Sequence, residues 1–236
     1  FGIPIPGILR AEIVKSASGV ANAEEIKLRA DFDGWAASLE LKPCDEPTGD
    51  TATVSWREAQ GKQVDVIKTH GRLADLIVVA KPDRDRNLGA NTLKSALFHT
   101  GRPVLMCPAT PPPDTLGARI AIAWNGSTEV ARAVALTMDL IQAADTVIVL
   151  SGREEIHGAS SDELLRYLRM RGVDARVERI PETRQVGEAL LAACADTGAD
   201  VLIMGAYRNS HEHETFFGGN TQAVVDDATM PVILVH

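Results

Sequence analysis

An α/β architecture, with a parallel sheet covered by helices on both faces, is what this sequence predicts. Strand-length apolar runs alternate with helix-length periodic segments from Arg119 to the end of the chain. Turn and cap residues separate them, and three segments of the first half recur in the same order in the second. Such alternation places each helix in a right-handed crossover between parallel strands.

Arg119-Ile120-Ala121-Ile122-Ala123-Trp124 is a short apolar run ended by the turn Asn125-Gly126-Ser127, where Ser127 or Thr128 can cap a helix. That helix is expected over 128–142, and the β-branched run 146–150 suits a second buried strand. Leu164, Leu165 and Leu168 have helical spacing within 160–171, with Gly172 as terminator. The segment 173–180 sets Val173, Ala175 and Val177 against Asp174, Arg176 and Glu178, as in an edge-like strand with one wet face. A helix over 186–197 ends at Gly198, and the next strand is expected over 201–204. A loop over 205–219, a helix over 220–228 and a strand over 232–235 close the unit.

The first half repeats the end of this pattern. Leu73-Ala74-Asp75-Leu76-Ile77-Val78-Val79 parallels Gly198-Ala199-Asp200-Val201-Leu202-Ile203-Met204 at its Ala-Asp step. Gly89-Ala90-Asn91-Thr92 parallels Gly218-Gly219-Asn220-Thr221, and Pro103-Val104-Leu105-Met106 parallels Pro231-Val232-Ile233-Leu234. The separation is nearly constant, the mark of an internal repeat. Upstream the match fails: residues 8–41 read as one long helix, and 51–57 is the early strand candidate. The first repeat is therefore incomplete at its N-terminus: either its first elements are expected before Phe1, which the missing methionine favours, or the repeat is truncated. Pro111, Pro112 and Pro113 remove backbone donors and impose an extended path, so 110–117 reads as a linker. The first repeat then spans 1–109 and the second 118–236.

An apolar fraction of 45% and a charged fraction of 24% fit a chain that buries a core. A net charge of −8 argues against nucleic acid and against anionic membranes as partners. No apolar run approaches the roughly 20 residues that span a bilayer, and the first residues lack the pattern of a signal peptide. The expected location is the cytoplasm. Cys44, Cys107 and Cys194 are widely spaced, without metal-ligand or disulfide patterning, and Cys107 and Cys194 read as buried packing groups.

In an open parallel sheet, ligands bind beyond the carboxyl ends of the strands, beside helix N-termini. Two loops fall there: Trp124-Asn125-Gly126-Ser127, and the segment from Gly205 to Thr221. The latter begins Met204-Gly205-Ala206-Tyr207-Arg208 and ends Phe217-Gly218-Gly219-Asn220-Thr221, with Gly218-Gly219 placed to form an anion nest before a helix. Together with the terminal Pro-Val strand, this resembles the universal stress protein family. Its ATP-binding members carry Gly, two residues, Gly, nine residues, Gly, and then Ser or Thr.

The resemblance implies two adenine-nucleotide alpha hydrolase-like (Rossmann-like) repeats. It implies a nucleotide-like small molecule as ligand, ATP with its Mg2+ being the first candidate. The ligand-binding residues it suggests are Trp124, Asn125, Val149, Met204, Gly205, Arg208, Gly218, Gly219, Asn220 and Thr221. Three departures bear on that reading. Arg208 stands at the middle glycine, where its guanidinium either fills the phosphate space or pairs with a phosphate. Gly219 stands where the family has a hydroxyl, and Asn125 where it has an acid. The resemblance also implies that 103–107 pairs with 231–235, burying two edges as in the family's dimers. A homodimer is the remaining expected partner.

His211-Glu212-His213-Glu214 reads as a solvated polar loop, because no third metal ligand is near in sequence. No base, nucleophile or triad pattern is evident, so no catalytic residue is expected. The expected function is regulatory or stress-responsive ligand binding, and the alternative is a ligand-free interaction module built on the same repeats. An ATP-dependent transferase would want a HxGH-like or SGGxDS segment, and the sequence has neither.

Overall fold

The computed structural model describes residues 23, 25–46, 49–86, 88–111, 115–152, 158–206 and 219–236. Contacts divide the chain into two compact units, Phe1–Gln60 and Gly61–His236. In the first unit, residues 25–38 form helix α1, followed by β1 (Lys42–Pro43) and β2 (Thr53–Val54). These two-residue strands pair in parallel with each other. The strand expected over 51–57 is thus shorter, and it stays outside the main sheet: both its residues are half-buried and it has no apolar face to cover. Phe32 packs on Trp56 with ring centroids 5.3 Å apart, and the Arg29 guanidinium lies over both rings. The part of the expected long helix at 8–22 lies outside the described residues.

The second unit holds one seven-stranded sheet. Its elements are α2 (Gln63–Gly71), β3 (Ile77–Ala80), α3 (Ala90–Thr100) and β4 (Val104–Cys107), then β5 (Arg119–Trp124), α4 (Thr128–Leu136), α5 (Met138–Ala143) and β6 (Thr146–Ser151). After these come α6 (Ser161–Arg169), β7 (Ala175–Arg179), α7 (Val186–Thr197), β8 (Val201–Gly205), α8 (Gly219–Asp227) and β9 (Val232–Val235). The strand order is β3-β4-β9-β8-β5-β6-β7. Every neighbouring pair is parallel except β4 and β9, which run antiparallel with Val104 opposite Leu234 and Met106 opposite Val232. The order helix, strand, helix, strand of α2 to β4 recurs in α7 to β9.

The central strands are apolar at successive positions because both sheet faces are covered. On one face Ala121, Ile148, Leu202 and Leu234 pack with residues of α3, α7 and α8; on the other Ile122, Val149, Ile203 and Ile233 pack with α4 and α6. The β4–β9 junction lies inside this core, with Val104, Met106, Val232 and Leu234 all fully buried.

Two expectations are corrected. The helix expected over 128–142 is broken at Thr137, whose φ is −116° and whose hydroxyl donates to the Ala133 carbonyl at 2.7 Å. Such back-bonding competes with the helical ladder and bends it. The strand expected over 173–180 is confined to 175–179, since the Val173 N–H donates to Leu168 and closes the end of α6. That helix starts in a complete capping box between Ser160 and Glu163.

Candidate functional site

From β5 the chain steps outward to β6 and β7, then returns past β5 to β8 and β9. The strand order therefore reverses between β5 and β8, and a crevice is expected beyond the carboxyl ends of these strands. A cleft of about 500 Å³ occupies that position. Its floor is formed by Ala123 and Trp124 at the end of β5, Leu150 of β6, and Met204 and Gly205 at the end of β8. One wall is the loop Ile180-Pro181-Glu182-Thr183 with Val186 and Leu190 of α7, and Asn220 closes another side from the first turn of α8.

Each rim group is fixed by its own local chemistry. The indole Nε1 of Trp124 donates to the Ala159 carbonyl at 2.9 Å, which holds the ring at the cleft. Asn125 Oδ1 accepts the Ser127 N–H at 3.0 Å in an Asx turn, and Ser127 Oγ caps α4 by accepting the Val130 N–H. Between them Gly126 has φ +72°, and a Cβ there would lie 3.0 Å from the Gly158 nitrogen, so the turn needs glycine twice over. Thr183 Oγ1 accepts the Gln185 N–H ahead of α7. Among the described lining residues Glu182 is the one ionisable side chain, and it is exposed.

Trp124, Asn125, Met204, Gly205 and Asn220 come together at this cleft. Val149 does not: it is fully buried on the opposite face of β6, between Ile122 and Val177. A one-residue step along a strand reverses the face, so Leu150 takes the place expected of Val149. Gly219 opens α8 without lining the cleft, and Thr221 is turned into protein with 7% of its surface exposed. Arg208 and Gly218 lie outside the described residues, as do His211 and His213. Sequence reasoning missed Leu150, Val186, Leu190 and the 180–183 loop. The signal was available, because that loop also leaves the carboxyl end of a strand of the same sheet.

Gly205 has a role unrelated to a ligand. A Cβ there would lie 2.6 Å from the Val130 nitrogen and 2.8 Å from the Glu129 Cβ. The glycine lets the start of α4 press against β8.

A second cleft of about 480 Å³, lined by Cys107 and Cys194, sits under the linker. Burial pushes the Cys194 thiol up to about 12 and raises that of Cys107 as well. Both thiols stay protonated at neutral pH and are poor nucleophiles. Cys107 is half-buried rather than fully buried, because it ends its strand. Among the described residues no group of three His, Cys, Asp or Glu side chains is assembled for a metal, and no helix is long and apolar enough to cross a membrane.

Residues 134–236 match the model of the Universal stress protein family. The matched segment is a little under half of the chain, and over it the chain is similar to that family. The segment holds the cleft's β6, β8 and α8 walls, while the Trp124 turn stands just before it. The chain is similar to a universal stress protein from Archaeoglobus fulgidus DSM 4304, with TM-score 0.61 and 17% identity over 100% of this chain and 81% of that one. It is also similar to a protein of unknown function from Pseudomonas aeruginosa PAO1, with TM-score 0.52 and 17% identity over 88% of this chain and 77% of that one. At such identities the likeness speaks for the shared α/β fold. A search of curated proteins finds no sequence match.

Proposed function

We propose that the cleft binds an adenine-nucleotide-like molecule and that the protein acts by binding, as a regulatory or stress-response component, without chemistry of its own. The observation that carries this reading is the cleft's place and make-up. It lies at the switch point between β5 and β8, with apolar walls from Trp124, Leu150, Ile180 and Met204 suited to a flat base. Asn125 and Asn220 offer amide groups at its rim. ATP would enter with Mg2+ already held by its phosphates.

One observation favours the alternative, an interaction module that has lost its ligand. The described lining has no lysine or arginine to meet phosphates, and it carries the carboxylate of Glu182. Calorimetric titration with ATP and Mg2+, run beside adenosine, separates the two readings. Saturable binding of either supports the first, and no heat from both supports the second. Arg208→Gly sharpens the result. If the guanidinium clamps a phosphate, affinity for ATP falls about tenfold or more; if it fills the phosphate space, affinity rises. The antiparallel β4–β9 pairing already occupies the edges that the family's dimers use, so we propose that any homodimer forms elsewhere.

A further inference from the structure

We propose that Lys81, a residue of the first half, is a positioning residue for the cleft in the second half: it holds the far end of α8 and thereby sets where Asn220 stands. Its effect on ligand affinity rests on the nucleotide reading above, while its effect on α8 does not.

Lys81 leaves the carboxyl end of β3, and its Nζ donates to the Ala228 carbonyl at 2.9 Å in a partly buried position. Ala228 directly follows α8 and is fully buried. A helix end leaves carbonyls without partners and carries partial negative charge, so a partly buried ammonium there answers both. Two further contacts come from the same side. Arg84 pairs with Asp226, and the Thr110 hydroxyl donates to the Thr229 carbonyl at 3.0 Å.

The other side of α8 has no slack. A Cβ on Gly187 of α7 would lie 2.8 Å from both the Ala223 Cβ and the Asn220 carbonyl. A helix of nine residues is about 14 Å long and shifts as a rod. A displacement at Ala228 therefore reaches Asn220, which lines the cleft from the opposite end of the same helix. The loop carrying these groups is closed on itself, since Asp83 and Leu88 exchange two backbone hydrogen bonds of 3.0 Å. In the first half the segment after β3 thus serves as a clamp on α8.

The test uses the full chain with Lys81→Met, which keeps the apolar stem and removes the donor, and Lys81→Arg, which restores a cation. Arg84→Met removes the neighbouring pair with Asp226, whose Arg84 side is exposed, and weighs that contact separately. Amide hydrogen exchange at Ala223 to Val225, whose N–H groups bond the carbonyls of the first turn of α8, should quicken several-fold in Lys81→Met, return towards the parent rate in Lys81→Arg and change less in Arg84→Met. If the parent binds ATP, affinity should fall about fivefold or more in Lys81→Met. Unchanged exchange at these amides overturns the positioning role whatever the ligand, and changed exchange with unchanged affinity overturns the link to the cleft. If the parent binds neither ATP nor adenosine, the nucleotide reading fails, and exchange alone decides the role of Lys81. Should Lys81→Met fail to fold, Lys81→Gln is read by the same exchange measurement.

Discussion

Gly205 and Val130 approach so closely that a methyl group on the glycine would stand 2.6 Å from the Val130 nitrogen. The contact ties the end of β8, on the floor of the cleft, to the capped start of α4. Gly219 is the contrast, since a Cβ there meets nothing within 4 Å. Gly205→Ala should therefore cost about 1–3 kcal/mol by overpacking, whereas Gly219→Ser, which supplies the family's hydroxyl, should leave the urea midpoint nearly unchanged. Equal midpoints for the two variants would contradict the packing role of Gly205.

The β4–β9 junction makes a second prediction. Val104 and Leu234 face each other across it and are both fully buried. Val104→Asp places an unpaired charge in that layer, and a loss of about 4 kcal/mol or more is expected. Denaturant melting indistinguishable from the parent would rule out this junction in solution.

Cys194 gives the stability a dependence on alkaline pH. Its thiol rises from 9.0 to about 12 on folding because it is buried. Between those values the unfolded chain has lost the proton that the folded chain keeps. The unfolded state thus binds fewer protons, and stability falls as pH rises, by up to about 1.4 kcal/mol per pH unit. Below 9.0 the thiol contributes no slope. Cys194→Ala should flatten the decline between about pH 9 and 11 relative to the parent, as read by urea melts at each pH. Parallel declines would show that Cys194 is not the group responsible. At neutral pH a thiol reagent should label Cys44 before Cys194.

The second half was largely legible in the sequence because its strands are buried on both faces and its helices carry strong caps. Ser127 before Thr128 and Gly198 after Thr197 mark boundaries that the structure keeps. Thr137 was not legible as a break, since its hydroxyl can bond back within a helix or face solvent and sequence does not choose. Val149 was misplaced for a different reason. Period-two alternation has no visible phase in a strand that is apolar throughout, so nothing along 146–150 tells which residues face the cleft. The 180–183 wall was overlooked because it carries no glycine pattern, although its position after β7 brings it to the same sheet end.

The most direct test of the nucleotide-binding cleft is a calorimetric titration of the full chain with ATP and Mg2+, repeated on Val186→Trp. Val186 is half-buried and lines the cleft on α7, so an indole there takes up space inside it. One site per chain with Kd below about 1 mM, weakened at least tenfold by Val186→Trp at unchanged melting midpoint, is the predicted result. Absence of binding by the parent, or binding that Val186→Trp leaves untouched, would contradict it.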